Sequence, residues 1–266
     1  MSEWRVFDQS HYESLNQSRA IRVRELLSDL GGKIGARTAL DVGCGLGYFS
    51  KLLHSLGLKV TAIDGRSENV AEASHRVPEV KFHTIDVEDH SILGFGTFDI
   101  VLCFGLLYHL ENPFLAIRHL RALTSSILFV ESVIFPGDNP VMGLVDENLT
   151  EDQGLNHVAF YPTESCLVKL FYRSGFPVVY RLASLPDHPH FRSSPYSRQA
   201  RTMLIASTRP LDTRLLRMVP EAKSLIEPWD PCSGAPRPNA LAKLRGFAVK
   251  PLPEKLKSIK RLVKEQ

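Results

Sequence analysis

The stretch "ALDVGCGLGYFS", residues 39–50, restricts this chain more than any other. A short apolar run ends in an acid, and Gly43, Gly45 and Gly47 follow before a helical pattern begins. A turn of this kind leaves a strand, brings bare backbone close to a ligand and opens a helix. A phosphate-binding loop ends Gly-Lys-Ser/Thr so that the lysine reaches the phosphates. Here the turn ends Gly47-Tyr48-Phe49-Ser50, which removes that option. A dinucleotide turn spaces its glycines G-x-G-x-x-G to clear a pyrophosphate. This chain instead reads G-x-G-x-G, with Asp41 two residues ahead of the first glycine.

The rest of the first two-thirds alternates short apolar runs with helical patterns. Ala39–Val42 reads as a buried strand, and the helix after it carries Phe49, Leu52, Leu53 and Leu56 on one face, with Gly57 at its stop. "KVTAID" (59–64), "VKFHTIDV" (80–87), "FDIVLCF" (98–104) and "SILFVES" (126–132) are four further strands. Ser67 is placed to cap the helix after the second strand, and Pro113 suits the first turn of the helix after the fourth. Strands alternating with helices predict an α/β fold, a parallel sheet wrapped on both faces. After residue 132 a long loop leads to a helix from near Thr163 to Gly175, then to "FPVVYRLA" and "ARTMLIAST". Loops of that length inside a compact domain are usually lids or binding loops.

Three acids at strand ends narrow the ligand. Asp41 ends the first strand, where a carboxylate can help hold an ammonium directly or through water. Asp64 closes the second strand, from which an acid accepts two ribose hydroxyls. Asp86, in "TIDVED", closes the third, where it can accept an adenine amino group beside a backbone N–H. Asp64 taken alone also suits NAD; the other two acids disfavour it. An ammonium, a ribose and an adenine without phosphate fit the set.

"LDVGCGLGYFS", "VTAID", "FHTIDVED" and "FDIVLCFGLLYHLENP", in this order and spacing, resemble the class I S-adenosylmethionine-dependent methyltransferases. The resemblance implies a Rossmann-like, doubly wound sheet of seven strands, mostly parallel with an antiparallel last strand, and S-adenosyl-L-methionine as cofactor. It places Gly43, Gly45 and Gly47 along the methionine part, Asp64 at the ribose, and Asp86 with Val87 at the adenine; Cys44 and Gly65 adjoin them. Phe104 and Gly105 are expected to flank the methyl group. The first helix, "HYESLNQSRAIRVRELLSDL", resembles the family's cofactor-covering helix, with Tyr12 packing there and Arg19 reaching the methionine carboxylate.

Methyl transfer is an in-line displacement from an already reactive sulfonium, so the protein aligns, desolvates and, where the acceptor must lose a proton, supplies a base. "GLLYHLENP", "FVESVIFPGD" and "LNHVAFYPTESCLVKLFYRSGF" resemble a branch that includes tRNA wobble-uridine carboxymethyltransferases and related small-molecule or glycan methyltransferases. Tyr108 matches a tyrosine which in the wobble enzymes helps bind an extra cofactor carboxylate. Those enzymes carry a longer basic amino-terminal region, against about 38 residues ahead of the first strand here. The leading expectation is methyl transfer to an O or N atom of a small molecule or glycan. The alternatives are an RNA-modifying enzyme, with a basic face joining the tail to Arg192, Arg198 and Arg201, and a catalytically silent cofactor-binding partner subunit. Candidate acceptor-side groups are His109 and His157 as bases and Glu131 as a pocket carboxylate. "PDHPHF" (186–191) reads as loop rather than metal site.

Residues 1–208 are expected to form the methyltransferase domain and 209–266 a Pro-rich, basic extension. Within the latter, 239–266 holds eight Lys or Arg against two Glu, and "PEKLKSIKRLVKEQ" has helical apolar spacing. A formal net charge of +3 does not by itself imply a nucleic-acid partner. Scattered Cys44, Cys103, Cys166 and Cys232 argue for a reducing compartment. With no signal pattern at the start and no transmembrane run, a cytoplasmic location is expected.

Overall fold

The apolar runs of the first half become the parallel core of one sheet in a computed structural model that describes residues 6–147, 153–155, 157–193 and 199–223. Helix α1 (Ser10–Ile34) leads into β1 (Thr38–Val42), and the glycine turn joins β1 to α2 (Tyr48–Ser55). Then follow β2 (Lys59–Asp64), α3 (Ser67–Arg76), β3 (Lys81–Thr84), β4 (Phe98–Phe104), α4 (Pro113–Leu123) and β5 (Thr124–Val133). β6 (Met142–Asp146) and β7 (Val158–Pro162) precede α5 (Glu164–Arg173), β8 (Val178–Leu182), β9 (Arg201–Ser207) and β10 (Leu216–Met218).

The main sheet runs β10-β8-β9-β5-β4-β1-β2-β3. β1 to β5 are mutually parallel, while β9 lies antiparallel between β5 and β8. The doubly wound α/β expectation holds, with eight strands in the main sheet among the described residues rather than seven. The extra one, β10, pairs antiparallel with β8 and has only three residues, too few to show an alternation. It lies beyond the expected boundary at 208/209, and the compact unit extends to Lys223. The basic stretch 239–266 and Arg198 lie outside the described residues.

Alternate residues of each strand serve opposite faces. Ala39, Ile100, Leu102 and Phe104 pack with α1 and α2, whereas Leu40, Val42, Val101 and Cys103 pack with α4 and α5. Two covered faces explain the unbroken apolar runs. β3 is shorter than the sequence pattern suggested: it ends at Thr84, although the Ile85 N–H still donates to the Asp64 carbonyl of β2 at 3.0 Å. Ser67 is not the cap of α3. That helix starts at Ser67 itself, and Asp64 instead accepts the Arg66 N–H at 2.9 Å.

The long loop after β5 contains a hairpin that the sequence pattern did not suggest: β6 and β7 pair antiparallel, apart from the main sheet. β6 is largely exposed and shows no apolar alternation. Thr163 ties this hairpin to α5. Its buried hydroxyl accepts the Cys166 N–H (3.2 Å) as helix cap and donates to the Asn139 carbonyl (2.6 Å). Thr163→Ala is therefore expected to cost about 1–2 kcal/mol, read as a lower urea midpoint; an unchanged midpoint would contradict that role. Among the described residues no helix is long and apolar enough to cross a membrane.

Candidate functional site

A cavity of about 530 Å³ opens at the carboxyl ends of β1, β2 and β4, the edge where open α/β sheets hold ligands. Its floor is the glycine turn. Gly43 and Gly47 have φ of +70° and +85°, a backbone that L side chains rarely adopt, and a Cβ on Gly43 would meet the Leu106 side chain at 3.0 Å. The N–H groups of Gly43 and Cys44 donate to the Ile63 carbonyl (2.9 and 3.0 Å), locking the turn onto the end of β2. Phe7 lies against Gly45, and Asp8 pairs with Arg76 of α3 at 2.6 Å across the mouth.

Asp64 is the hub of the wall. One oxygen accepts the Gly45 N–H (2.9 Å); the other accepts the Arg66 N–H (2.9 Å) and Asn69 Nδ2 (3.2 Å). Burial nevertheless raises its pKa, outweighing those donors. Asp86 and Val87 line the cavity where the chain leaves β3; Asp86 accepts the Glu88 N–H at 2.9 Å. The Val87 carbonyl accepts from Nδ1 of buried His119 at 2.8 Å, which holds that turn from behind. Tyr12, Arg19, Gly65, Phe104, Gly105, Tyr108 and His109 also line the cavity, so most of the residues expected from the sequence come together.

Three do not reach it. Asp41 lies 3% exposed behind the turn, accepting Ser50 Oγ at 2.6 Å, because Ser50 on α2 folds back over the end of β1. Glu131 is fully buried and held by two arginines: Arg201 Nη1 donates at 2.9 Å, and Arg19 Nη2 forms an ion pair at 3.1 Å. His157 sits outside the cavity wall at a φ of +60°, beside the hairpin. The Cys44 thiol is pushed well above its ordinary pKa by burial and by Asp41 and Asp64, which leaves its backbone as the part that matters.

Other residues enter unforeseen as parts of the site. Arg201, foreseen only as surface charge, lines the cavity and donates from Nη2 to the Tyr108 hydroxyl at 3.1 Å. Its place follows from the register in which β9 runs back along β5, with Arg201 opposite Val133. Arg192, the other basic-face candidate in the described residues, pairs with Asp187. Gln153, Gly154 and Leu155, from the β6–β7 loop, close over Asp64 and Gly65; Arg66 Nη2 donates to the first two carbonyls at 3.1 and 3.2 Å. Glu147, just past β6, contacts Nδ1 of His109. No local motif marks any of these, since each acts across a fold-level contact.

Asp41 has a measurable signature. Burial pushes its carboxyl up to about 7 from 3.8, with Ser50 pulling the other way and Asp64 adding repulsion. Between those values the folded chain keeps a proton that the unfolded chain has released, so stability falls as pH rises through that window. Asp41→Asn is expected to abolish this fall, gaining on the order of 2–4 kcal/mol relative to the native chain at about pH 8 and little at about pH 4. Urea midpoints at the two pH values read it; parallel pH dependences in both proteins would contradict it.

Residues 40–126 match the family model described as "Methyltransferase domain". Over 124 residues the chain is 30% identical to the ubiquinone biosynthesis O-methyltransferase of Bordetella avium, covering 43% of this chain and 49% of that protein. Over 161 residues it is 27% identical to the tRNA U34 carboxymethyltransferase of Colwellia psychrerythraea, covering 58% and 48%. The chain thus spans about half the length of the curated relatives it matches. Among solved structures, the N-terminal domain of EvdMO1 with SAH bound shares the fold at a TM-score of 0.62 and 21% identity, over 76% of this chain and 85% of that one. Magnesium protoporphyrin IX methyltransferase from Synechocystis PCC 6803 with bound SAM does so at 0.53 and 19%, over 77% and 89%.

Proposed function

We propose, taking residues 40–126 as the methyltransferase domain they match, that this chain is an S-adenosylmethionine-dependent methyltransferase acting on an O or N atom of a small molecule or glycan. The observation that carries the reading is the meeting of the glycine turn, Asp64, Asp86–Val87 and His109 in one cavity. The cavity also suits the cofactor's charges. Arg19 Nε is buried without a hydrogen bond among the described residues, beside a cluster of two guanidiniums on one carboxylate, an arrangement that suits a ligand carboxylate. At the other end Asp64 and Asp86 present acceptors, which favour hydroxyls and an amino group over a pyrophosphate.

On this reading Asp64 holds the ribose, Asp86 and the Val87 backbone the adenine, Arg19 the carboxylate, and the glycine turn admits the methionine chain at backbone distance. The bound cofactor supplies a methyl group already activated on sulfur. Phe104 and Tyr108 shape the wall beside it, and Leu155 with Gln153 limits water at the ribose end. His109 accepts the acceptor's proton. The ubiquinone-pathway relative is named an O-methyltransferase, which supports an oxygen acceptor. A second reading, RNA modification, has support from the wobble-enzyme match, which reaches over more of the chain.

The test uses methyl-labelled S-adenosylmethionine with the purified chain and a lysate of its source cells. Label in the small-molecule or glycan fraction, absent with Asp64→Ala, is the expected result. Label confined to ribonuclease-sensitive polymer would move the assignment to RNA. No transfer and no calorimetric binding of S-adenosylhomocysteine would overturn the reading altogether.

A further inference from the structure

Glu147 is a carboxylate that no sequence motif marks, and its side chain is only 3% exposed. One of its oxygens takes the contact with His109 Nδ1; the other accepts the Gly154 N–H at 2.8 Å. Its own N–H donates to the His157 carbonyl at 2.9 Å, so the end of β6 fixes its backbone. An ionised carboxylate only accepts hydrogen bonds. Facing that acceptor, Nδ1 of His109 is the ring nitrogen that donates.

The same carboxylate holds the segment that closes over Asp64 and Gly65. Gly154 packs so closely that a Cβ there would collide with the His109 carbonyl oxygen. The Gln153 and Gly154 carbonyls are held by Arg66, whose backbone N–H is held by Asp64. A continuous set of contacts therefore runs from the second-strand acid through the 153–155 loop to the imidazole.

We propose that Glu147 is a positioning residue: it fixes His109 in the Nδ1–H tautomer and ties that state to the 153–155 loop seated on Asp64 and Gly65. The proposal rests on reading His109 as the base of a methyltransferase. An imidazole whose Nδ1–H is held this way turns its other nitrogen, Nε2, to the role of base for an acceptor that must give up a proton, such as a hydroxyl. A carboxylate acceptor would have no need of it. Glu147 touches no reacting atom and acts only through the ring it orients.

The test reads the tautomer directly. The full chain, with its ten histidines ¹⁵N-labelled, gives long-range ¹H–¹⁵N correlation patterns, and His109→Gln identifies the His109 set by its loss. The native chain is expected to show Nδ1–H. In Glu147→Gln the Gly154 N–H keeps the amide oxygen, so the amide NH₂ faces Nδ1 and the proton shifts to Nε2. An Nε2–H pattern in the native chain would overturn the proposal whether or not the variant folds, as would an unchanged pattern in folded Glu147→Gln. Failure of the native chain to bind S-adenosylhomocysteine would remove the methyltransferase reading while leaving an Nδ1–H result for Glu147 intact.

Discussion

Asp64→Ala is expected to weaken S-adenosylhomocysteine binding by about 100-fold or more. Hydrogen bonds to an ionised group contribute roughly 1.5–3 kcal/mol each, and two ribose hydroxyls would be lost together. The loss extends beyond the ligand contacts, because the same carboxylate anchors the N–H groups of Gly45 and Arg66. The glycine turn and the start of α3 would both lose a tether. Asp64→Asn separates the two effects: the amide oxygen can still accept from one backbone donor, but charge and one acceptor are gone. Its affinity should fall between native and alanine. Calorimetry reads both variants, and native-like affinity in Asp64→Ala would remove the ribose assignment.

Glu131→Ala is expected to lower folding stability by about 3–5 kcal/mol, the usual cost of leaving a buried charge without its partner. Arg19 and Arg201 share this one fully buried carboxylate, and nothing else close by among their described ion pairs is negative. The variant would set two guanidiniums side by side. Arg19→Met combined with Glu131→Met and Arg201→Met removes all three charges and should recover much of the loss, since buried ion triads often give way to apolar residues at little cost. Urea midpoints compare the proteins. If Glu131→Ala unfolded like the native chain while losing activity alone, Glu131 would be the pocket carboxylate that its place in the sequence suggested.

The two variants also mark how far a residue's place in the fold was legible in the sequence. The place of Asp64 was legible because the motif is local: a strand, an acid at its end and a glycine turn one crossover away bring it to the cavity by chain geometry alone. Gly43, Asp86 and Phe104 share that property. Glu131 stands at a strand end just as Asp64 does, yet the structure turns it into the centre of an ion cluster. Its partners come from α1 and from a strand seventy residues later, and no periodicity reports such a pairing. Asp41 shows the same limit at shorter range, for Ser50 captures it only because α2 folds back over β1.

What the sequence by itself determined is the sheet and its ligand edge. Alternating apolar runs and helices leave few ways to bury both faces, and the glycine turn fixes which end of the strands is open. What only the tertiary structure decided is the rest of the cavity and its surroundings: the β6–β7 hairpin, the loop 153–155 over Asp64, Glu147 behind His109 and Arg201 beside Tyr108. The reason is physical. The strand-end floor of the cavity is built from contacts near in sequence, where spacing encodes position. The rest of the wall is built from segments that meet across dozens of residues, where only packing brings a carboxylate to an imidazole.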